Sequence, residues 1–152
     1  MGTVPFDRSV LKVNQVMLMT GLIAGYLVSL ARPLAAIALP LFALMMLHGA
    51  AAPPQSLPRV LYLRLLKPRG LVRPRVVVED PAPHRFAQLV GGIFLAAGSL
   101  AALAGATVVG WTLGWIVIAL AFLNFAFDIC VGCIMYAQLV RLGVFPLRRS
   151  AA

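Results

Sequence analysis

The chain has 152 residues, 62% of them hydrophobic and only 11% charged, with a formal net charge of +9 and two cysteines. A soluble domain is typically about 45–50% apolar and about 25% charged. Too few polar side chains remain here to wrap an apolar core in water, and a mean hydropathy of +0.97 makes lipid the solvent that fits. Nor is the positive charge that of a nucleic-acid binder, whose Lys and Arg line a solvated face. These lie between and beside apolar stretches, like flanks held against anionic headgroups.

In chain order, Asp7 precedes a first apolar stretch over residues 10–31, and Arg32 with Pro33 makes a tight turn. A second stretch, 33–47, is short; Pro40 is expected to kink it, and it gains length by running past His48 into the Ala-rich residues 49–52. A polar segment rich in Pro and Arg fills 53–84. The third stretch covers 86–109, Gly110 marks a turn, and the last runs over 111–136 into a basic tail. A span takes roughly 20 residues to cross about 30 Å of hydrocarbon, which three of the four meet outright. The expected fold is an all-α polytopic membrane protein of four transmembrane helices. It divides into a first hairpin at 1–52, a basic loop with an amphipathic piece at 53–79, and a second hairpin with its tail at 80–152.

Of the 13 basic residues, all but Arg32 fall in the N-terminal flank, the central loop or the tail. The positive-inside rule therefore places both termini and that loop in the cytoplasm, in a bacterial inner membrane. Lys12 before an apolar run also fits a cleavable signal loosely, but the counterpart of this segment lies mid-chain, which argues for retention. Asp7, Lys12 and Gln15 recur as Asp80, Arg85 and Gln88, 73 positions on, and Tyr62 and Lys67 recur as Tyr136 and Arg141, 74 positions on. The halves read as two parallel helical-hairpin repeats about a pseudo-twofold along the membrane normal. Asp7 and Asp80 are placed to accept the orphan N–H groups of the helices they open, with Pro81 at a position that needs no donor.

Cys130 and Cys133 are the sole cysteines, three apart, in Asp128-Ile129-Cys130-Val131-Gly132-Cys133. That spacing is the minimum for reversible dithiol–disulfide chemistry. Read as the end of a transmembrane helix, the motif lacks the helix N-terminus that activates a thioredoxin-type pair. Small-residue packing between helices is the other use open to it. A Cys₂His₂ metal site with His48 and His84 is arithmetically available but lacks zinc-finger spacing, so no metal and no cofactor is expected. Asp128 is the one acid in an apolar span, with Lys12 or Arg85 as its expected partner. On a continuous helix it shares a face with Asn124 and not with the thiols. Lys12, Gln15, Arg85 and Gln88 are expected to gather at the inner mouth, as an anion site or as interfacial anchors. Gly21-x₃-Gly25, Gly110-x₃-Gly114, Gly98 and Gly105 mark close helix contacts, within one chain or in a homo-oligomer. Tyr26, Trp111 and Trp115 fit an outer aromatic belt. No phosphate loop, carboxylate dyad or Ser/His/Asp set is present.

The Asp-initiated Lys/Arg-x-x-Gln openings, the Pro-Arg-Gly-Leu-Val-Arg-Pro run at 68–74 and Cys-x-Gly-Cys-x-x-Tyr ending at Tyr136 resemble a small bacterial membrane family. That family is a domain of unknown function, often encoded beside thioredoxin-like and rhodanese proteins. The resemblance implies a link to thiol or sulfur metabolism and carries over Cys130 and Cys133. The leading expectation is a membrane dithiol protein exchanging electrons or sulfur with such a partner. A small permease or channel subunit for an anion is the alternative, and an accessory or scaffold subunit is a third.

Overall fold

The structure, a computed structural model, describes residues 4–32 and 37–143. Within these, the order is β1 (Val4–Asp7), α1 (Ser9–Ala31), α2 (Ala38–Ala51), α3 (Leu57–Leu61, continued as a π-helical turn Tyr62–Leu66), β2 (Val76–Glu79), α4 (Ala82–Leu103), α5 (Thr107–Phe127) and α6 (Val131–Arg141). Residues 33–36, where the tight turn at Arg32 and Pro33 is expected, and those beyond 143 lie outside the described residues.

The all-helical expectation gains a two-stranded ribbon. β1 and β2 pair antiparallel, with Val4 opposite Glu79, Pro5 opposite Val78, Phe6 opposite Val77 and Asp7 opposite Val76. Three successive valines stiffen the second strand in extended backbone, and in a two-stranded ribbon every strand is an edge, where Pro5 is tolerated.

The helices α1, α4 and α5, of 23, 22 and 21 residues, are long and apolar enough to cross a membrane. At about 1.5 Å per residue each exceeds the roughly 30 Å of hydrocarbon. With 14 and 11 residues, α2 and α6 are shorter. Leu27, Leu30, Leu41, Leu44, Leu100 and Val108 are exposed, an apolar exterior suited to lipid. As expected, α2 continues past His48, but Pro40 does not kink it. That residue lies in the first turn, where backbone donors have no intrahelical partner to lose. Gly110 is not the turn of the second hairpin either. The turn is 104–106, with Gly105 at φ +90°, and Gly110 lies within α5.

The reason Gly110 is needed is contact. A Cβ there would lie 2.6 Å from the Gly98 carbonyl oxygen, and one on Gly98 would lie 2.8 Å from the Gly110 oxygen, so the backbones of α4 and α5 touch. Gly110→Val is expected to lower stability by about 2–3 kcal/mol through overpacking, read as a lower thermal midpoint in detergent micelles. Gly114→Ala should be milder, since its new methyl meets no backbone, only the tip of Leu39 at 3.1 Å and, at ordinary contact distance, the Trp111 ring at 3.6 Å. Around this contact Leu18, Leu22, Leu39, Met46, Leu95, Val117 and Ile118 form the core. Trp111 belongs to that core, only 5% exposed. Tyr26 stands edge-on to it and to Trp115, at centroid distances of 5.2 and 5.4 Å.

Candidate functional site: a cysteine pair capping a helix beside a histidine

The apolar run from 111 does not continue as one helix to Tyr136. Helix α5 ends at Phe127, and Asp128 takes left-handed backbone, φ +54°, a conformation Asp tolerates better than most residues. Two cations hold it there, Lys12 Nζ at 3.8 Å and Arg75 Nη1 at 3.6 Å. Past the break, Cys130 is the N-cap of α6, and its Sγ accepts a hydrogen bond from the Cys133 backbone N–H at 3.2 Å. The motif therefore opens a helix where it was expected to end one. The first sulfur sits at the positive end of the helix dipole, the setting that favours a thiolate. The two sulfurs are joined in a disulfide, with Cα atoms 5.1 Å apart.

Gly132 seats this helix start on α4. A Cβ on it would lie 2.5 Å from Ala87 Cβ and 2.7 Å from Ala87 Cα, so only glycine permits the approach without a shift. One helical turn before Ala87 stands His84, whose Nδ1 is 3.5 Å from Cys133 Sγ. Its Nε2 lies 3.4 Å from Glu79 Oε1, and its ring stacks on Phe6 at 5.6 Å and 6°. Arg8 Nε–H donates to both Glu79 oxygens, at 3.0 and 3.1 Å, and Nη2 donates to Oε2. A chain of polar contacts thus runs Arg8–Glu79–His84–Cys133. The Arg8 hydrogen bonds hold the Glu79 carboxyl below its ordinary range, and the same bonds raise Arg8. An ionised Glu79 favours the imidazole tautomer protonated on Nε2, leaving the Nδ1 lone pair toward the sulfur.

The ribbon is fixed to the helices by Asp7. Its carboxylate accepts from Ser9 N (3.0 Å), Arg75 N (3.1 Å) and Tyr62 Oη–H (2.7 Å), while Asp80 accepts from Ala82 N at 3.0 Å. Both aspartates thus bond the first residue of their helices, as expected. Burial pushes the Asp7 carboxyl up, but the hydrogen bonds from Tyr62, Ser9 and Arg75 outweigh it and hold it low. Burial and the bond to Asp7 push the Tyr62 phenol up. Lowered folded values for Asp7 and Glu79 mean stability that is present above their unfolded values, about 4, and lost as pH falls through the folded ones. The thermal midpoint in micelles should accordingly be flat above about pH 5 and fall progressively below it. Glu79→Gln should remove part of that acid dependence.

The family model for the domain of unknown function DUF4395 matches residues 6–141. The chain belongs to the DUF4395 family. No curated protein and no solved structure gives a significant match.

In this DUF4395 chain the expected candidates separate into two places. Cys130, Lys12, Gln15, Asn124, Asp128, Arg8 and His84 line a small cavity of about 30 Å³. Beneath it a larger cavity of about 120 Å³ is lined by Gln15, Gln88, Asn14, Asn124, Phe94 and Cys130, among others. The amide oxygens of Asn14 and Gln15 are buried with no hydrogen-bond partner among the described residues. Arg85 lies apart. Its Nε and Nη2 donate to the Ala50 carbonyl at 3.1 and 2.9 Å, capping the end of α2 beside a separate hollow lined by Leu47 and Phe86. The expected ring of Lys12, Gln15, Arg85 and Gln88 is therefore not formed, and Lys12 rather than Arg85 meets Asp128. The broken helix also brings Asp128 to the same cavity as Cys130, which a continuous helix would have prevented. Of the two histidines, His48 is exposed on α2. His84, read from sequence as an interfacial residue, is the one that joins the cysteines, their ligand atoms all within 4.8 Å of one another.

Proposed function

We propose that this DUF4395 protein is an integral membrane dithiol protein that exchanges electrons through Cys130 and Cys133 with a thioredoxin-like or rhodanese partner in the cytoplasm. The observation that carries this reading is the cysteine pair at the N-terminus of α6, with His84 Nδ1 at 3.5 Å from the second sulfur. A partner thiolate attacks Cys130 Sγ; the disulfide bond breaks, its electron pair goes to Cys133 Sγ, and that sulfur takes up a proton from solvent, passed to it from Nδ1 once the His84 ring has been protonated there. The second thiol of the partner then attacks the partner's sulfur in the mixed disulfide. Cys130 leaves as a thiolate stabilised by the Cys133 N–H and the helix dipole. Two electrons pass to the chain and the partner becomes the disulfide. A rhodanese would meet Cys130 in the dithiol form: the Cys130 thiolate takes the outer sulfur of the rhodanese persulfide, the rhodanese cysteine leaves as a thiolate, and Cys133 then expels that sulfur as hydrosulfide as the Cys130–Cys133 disulfide forms.

The membrane arrangement belongs to the proposal. Four spans, the shorter α2 among them, put the ribbon, the loop and α6 on the cytoplasmic side with the Lys and Arg. Two parallel repeats accord with the strand register. Pro5 lies opposite Val78, its own counterpart 73 positions on, so a twofold through that pair relates β1 to β2. The short helices also start alike, α3 after Ser56 and α6 after Cys130, 74 positions on.

The test is reduction of the purified chain by a reduced thioredoxin-like protein, with the free thiols counted by a mass-tagged maleimide. The expected result is conversion to the dithiol, slowed about 100-fold or more by His84→Ala through loss of proton transfer. A disulfide untouched by the partner, yet opened by a small phosphine, would contradict the proposal.

A further inference from the structure

We propose that the dithiol form binds one zinc(II) ion through Cys130 Sγ, Cys133 Sγ and His84 Nδ1. The three ligand atoms lie within 4.8 Å of one another, and they come from two elements locked together at the Gly132–Ala87 contact. Bonds of about 2.3 Å to sulfur and about 2.0–2.1 Å to nitrogen, at the tetrahedral angle, place nitrogen and sulfur about 3.5 Å apart. His84 Nδ1 and Cys133 Sγ are 3.5 Å apart. Once the disulfide is reduced, the two sulfurs need to part only to about 3.8 Å by the same geometry.

The surroundings are those of a metal-bound histidine. The other ring nitrogen of His84 faces Glu79, which Arg8 orients in turn. A carboxylate in that position fixes the tautomer and turns the free lone pair to the ion. Three protein ligands leave a fourth position, and the cavity of about 30 Å³ touches both His84 and Cys130. A water needs roughly 10–15 Å³ of such space. Gln15, 7% exposed with its amide oxygen unpartnered, lines that cavity and would accept a hydrogen bond from a zinc-bound water. Two thiolates and an imidazole suit zinc, whereas magnesium and calcium prefer oxygen. In the binding step each S–H gives a proton to solvent and two Zn–S bonds form. The disulfide offers neither thiolate, so oxidation and zinc exclude each other at this site.

This inference shares its sulfurs with the exchange reaction but does not rest on exchange. The experiment uses the full chain in detergent, reduced with a phosphine and titrated with Zn²⁺ against a chromogenic chelator. One zinc per chain is expected, with an X-ray absorption spectrum showing two sulfur ligands at about 2.3 Å. Cys130→Ser or Cys133→Ser should abolish binding. Glu79→Gln should weaken it about 10–100-fold, the cost of a lost outer-shell partner, and His84→Ala by at least as much. Fewer than two sulfurs in the wild-type spectrum would overturn the proposal, whether or not the variants fold. So would equal binding by the disulfide form, or unchanged affinity in a His84→Ala protein of native helicity. Exchange with a thioredoxin-like protein is scored separately on zinc-free samples, so the failure of one reading is told apart from failure of the other.

Discussion

Cys133→Ser should accumulate a stable mixed disulfide between Cys130 and a thioredoxin-like partner, and Cys130→Ser should capture at least about 100-fold less, because rate follows access and the thiolate fraction of the attacking cysteine. The asymmetry follows from the two environments. Cys130 caps α6, receives the Cys133 N–H and lines both cavities. Cys133 lies inside the first turn with His84 against its sulfur, a place for the resolving thiol, which must lose its proton when it attacks the mixed disulfide. Without Cys133 that second attack has no nucleophile, and the covalent adduct persists. Non-reducing gels of the two variants, incubated with a partner that lacks its own resolving cysteine and whose remaining thiol is activated as a thionitrobenzoate mixed disulfide, the thionitrobenzoate leaving on capture, check this; equal capture by both would remove the assigned roles.

Asp7→Ala is expected to be the most destabilising single change at the ribbon. One carboxylate joins β1 to the start of α1, to the loop at Arg75 and to the wholly buried Tyr62. Its removal takes away the carboxylate acceptor of the Tyr62 hydroxyl and withdraws two backbone bonds. At about 1–3 kcal/mol for a buried group left unsatisfied, a total near 3 kcal/mol is expected. Tyr62→Phe removes one of those bonds together with its donor and should cost about half as much. Thermal unfolding in micelles measures both, and because β1 carries Phe6 and precedes Arg8, the Asp7 variant should also react faster with small thiols. A midpoint unchanged by Asp7→Ala would show that the ribbon does not depend on this carboxylate.

The three helices long and apolar enough to cross a membrane were legible in the sequence because length and apolarity are local properties, and so were the aspartates that open α1 and α4. The break after Phe127 was not. Asp128 and Gly132 interrupt the apolar pattern between Trp111 and Tyr136 without dictating a break; the break is held by Lys12 and Arg75, which are distant in the chain. Missing it reversed the setting of the cysteine motif, from the end of one helix to the start of another. His84 was missed for a related reason. A lone histidine in a first turn looks interfacial until Gly132 and Ala87 bring α6 against α4. One signal was available. At the repeat offsets His84 replaces Leu11 and Cys130 replaces Ser56, so the reactive side chains stand where the two halves differ. Arg85 shows the opposite case: its likeness to Lys12 concealed a different task, capping α2 through Ala50.

The central claim is that a redox-active pair opens a helix on the cytoplasmic face of a membrane protein. Labelling with a membrane-impermeant maleimide, after reduction by a phosphine, tests it directly in sealed vesicles of both orientations. Inverted vesicles should label at Cys130 and right-side-out vesicles should not. Labelling confined to right-side-out vesicles, or recovery of the chain in the soluble fraction without detergent, would contradict the account.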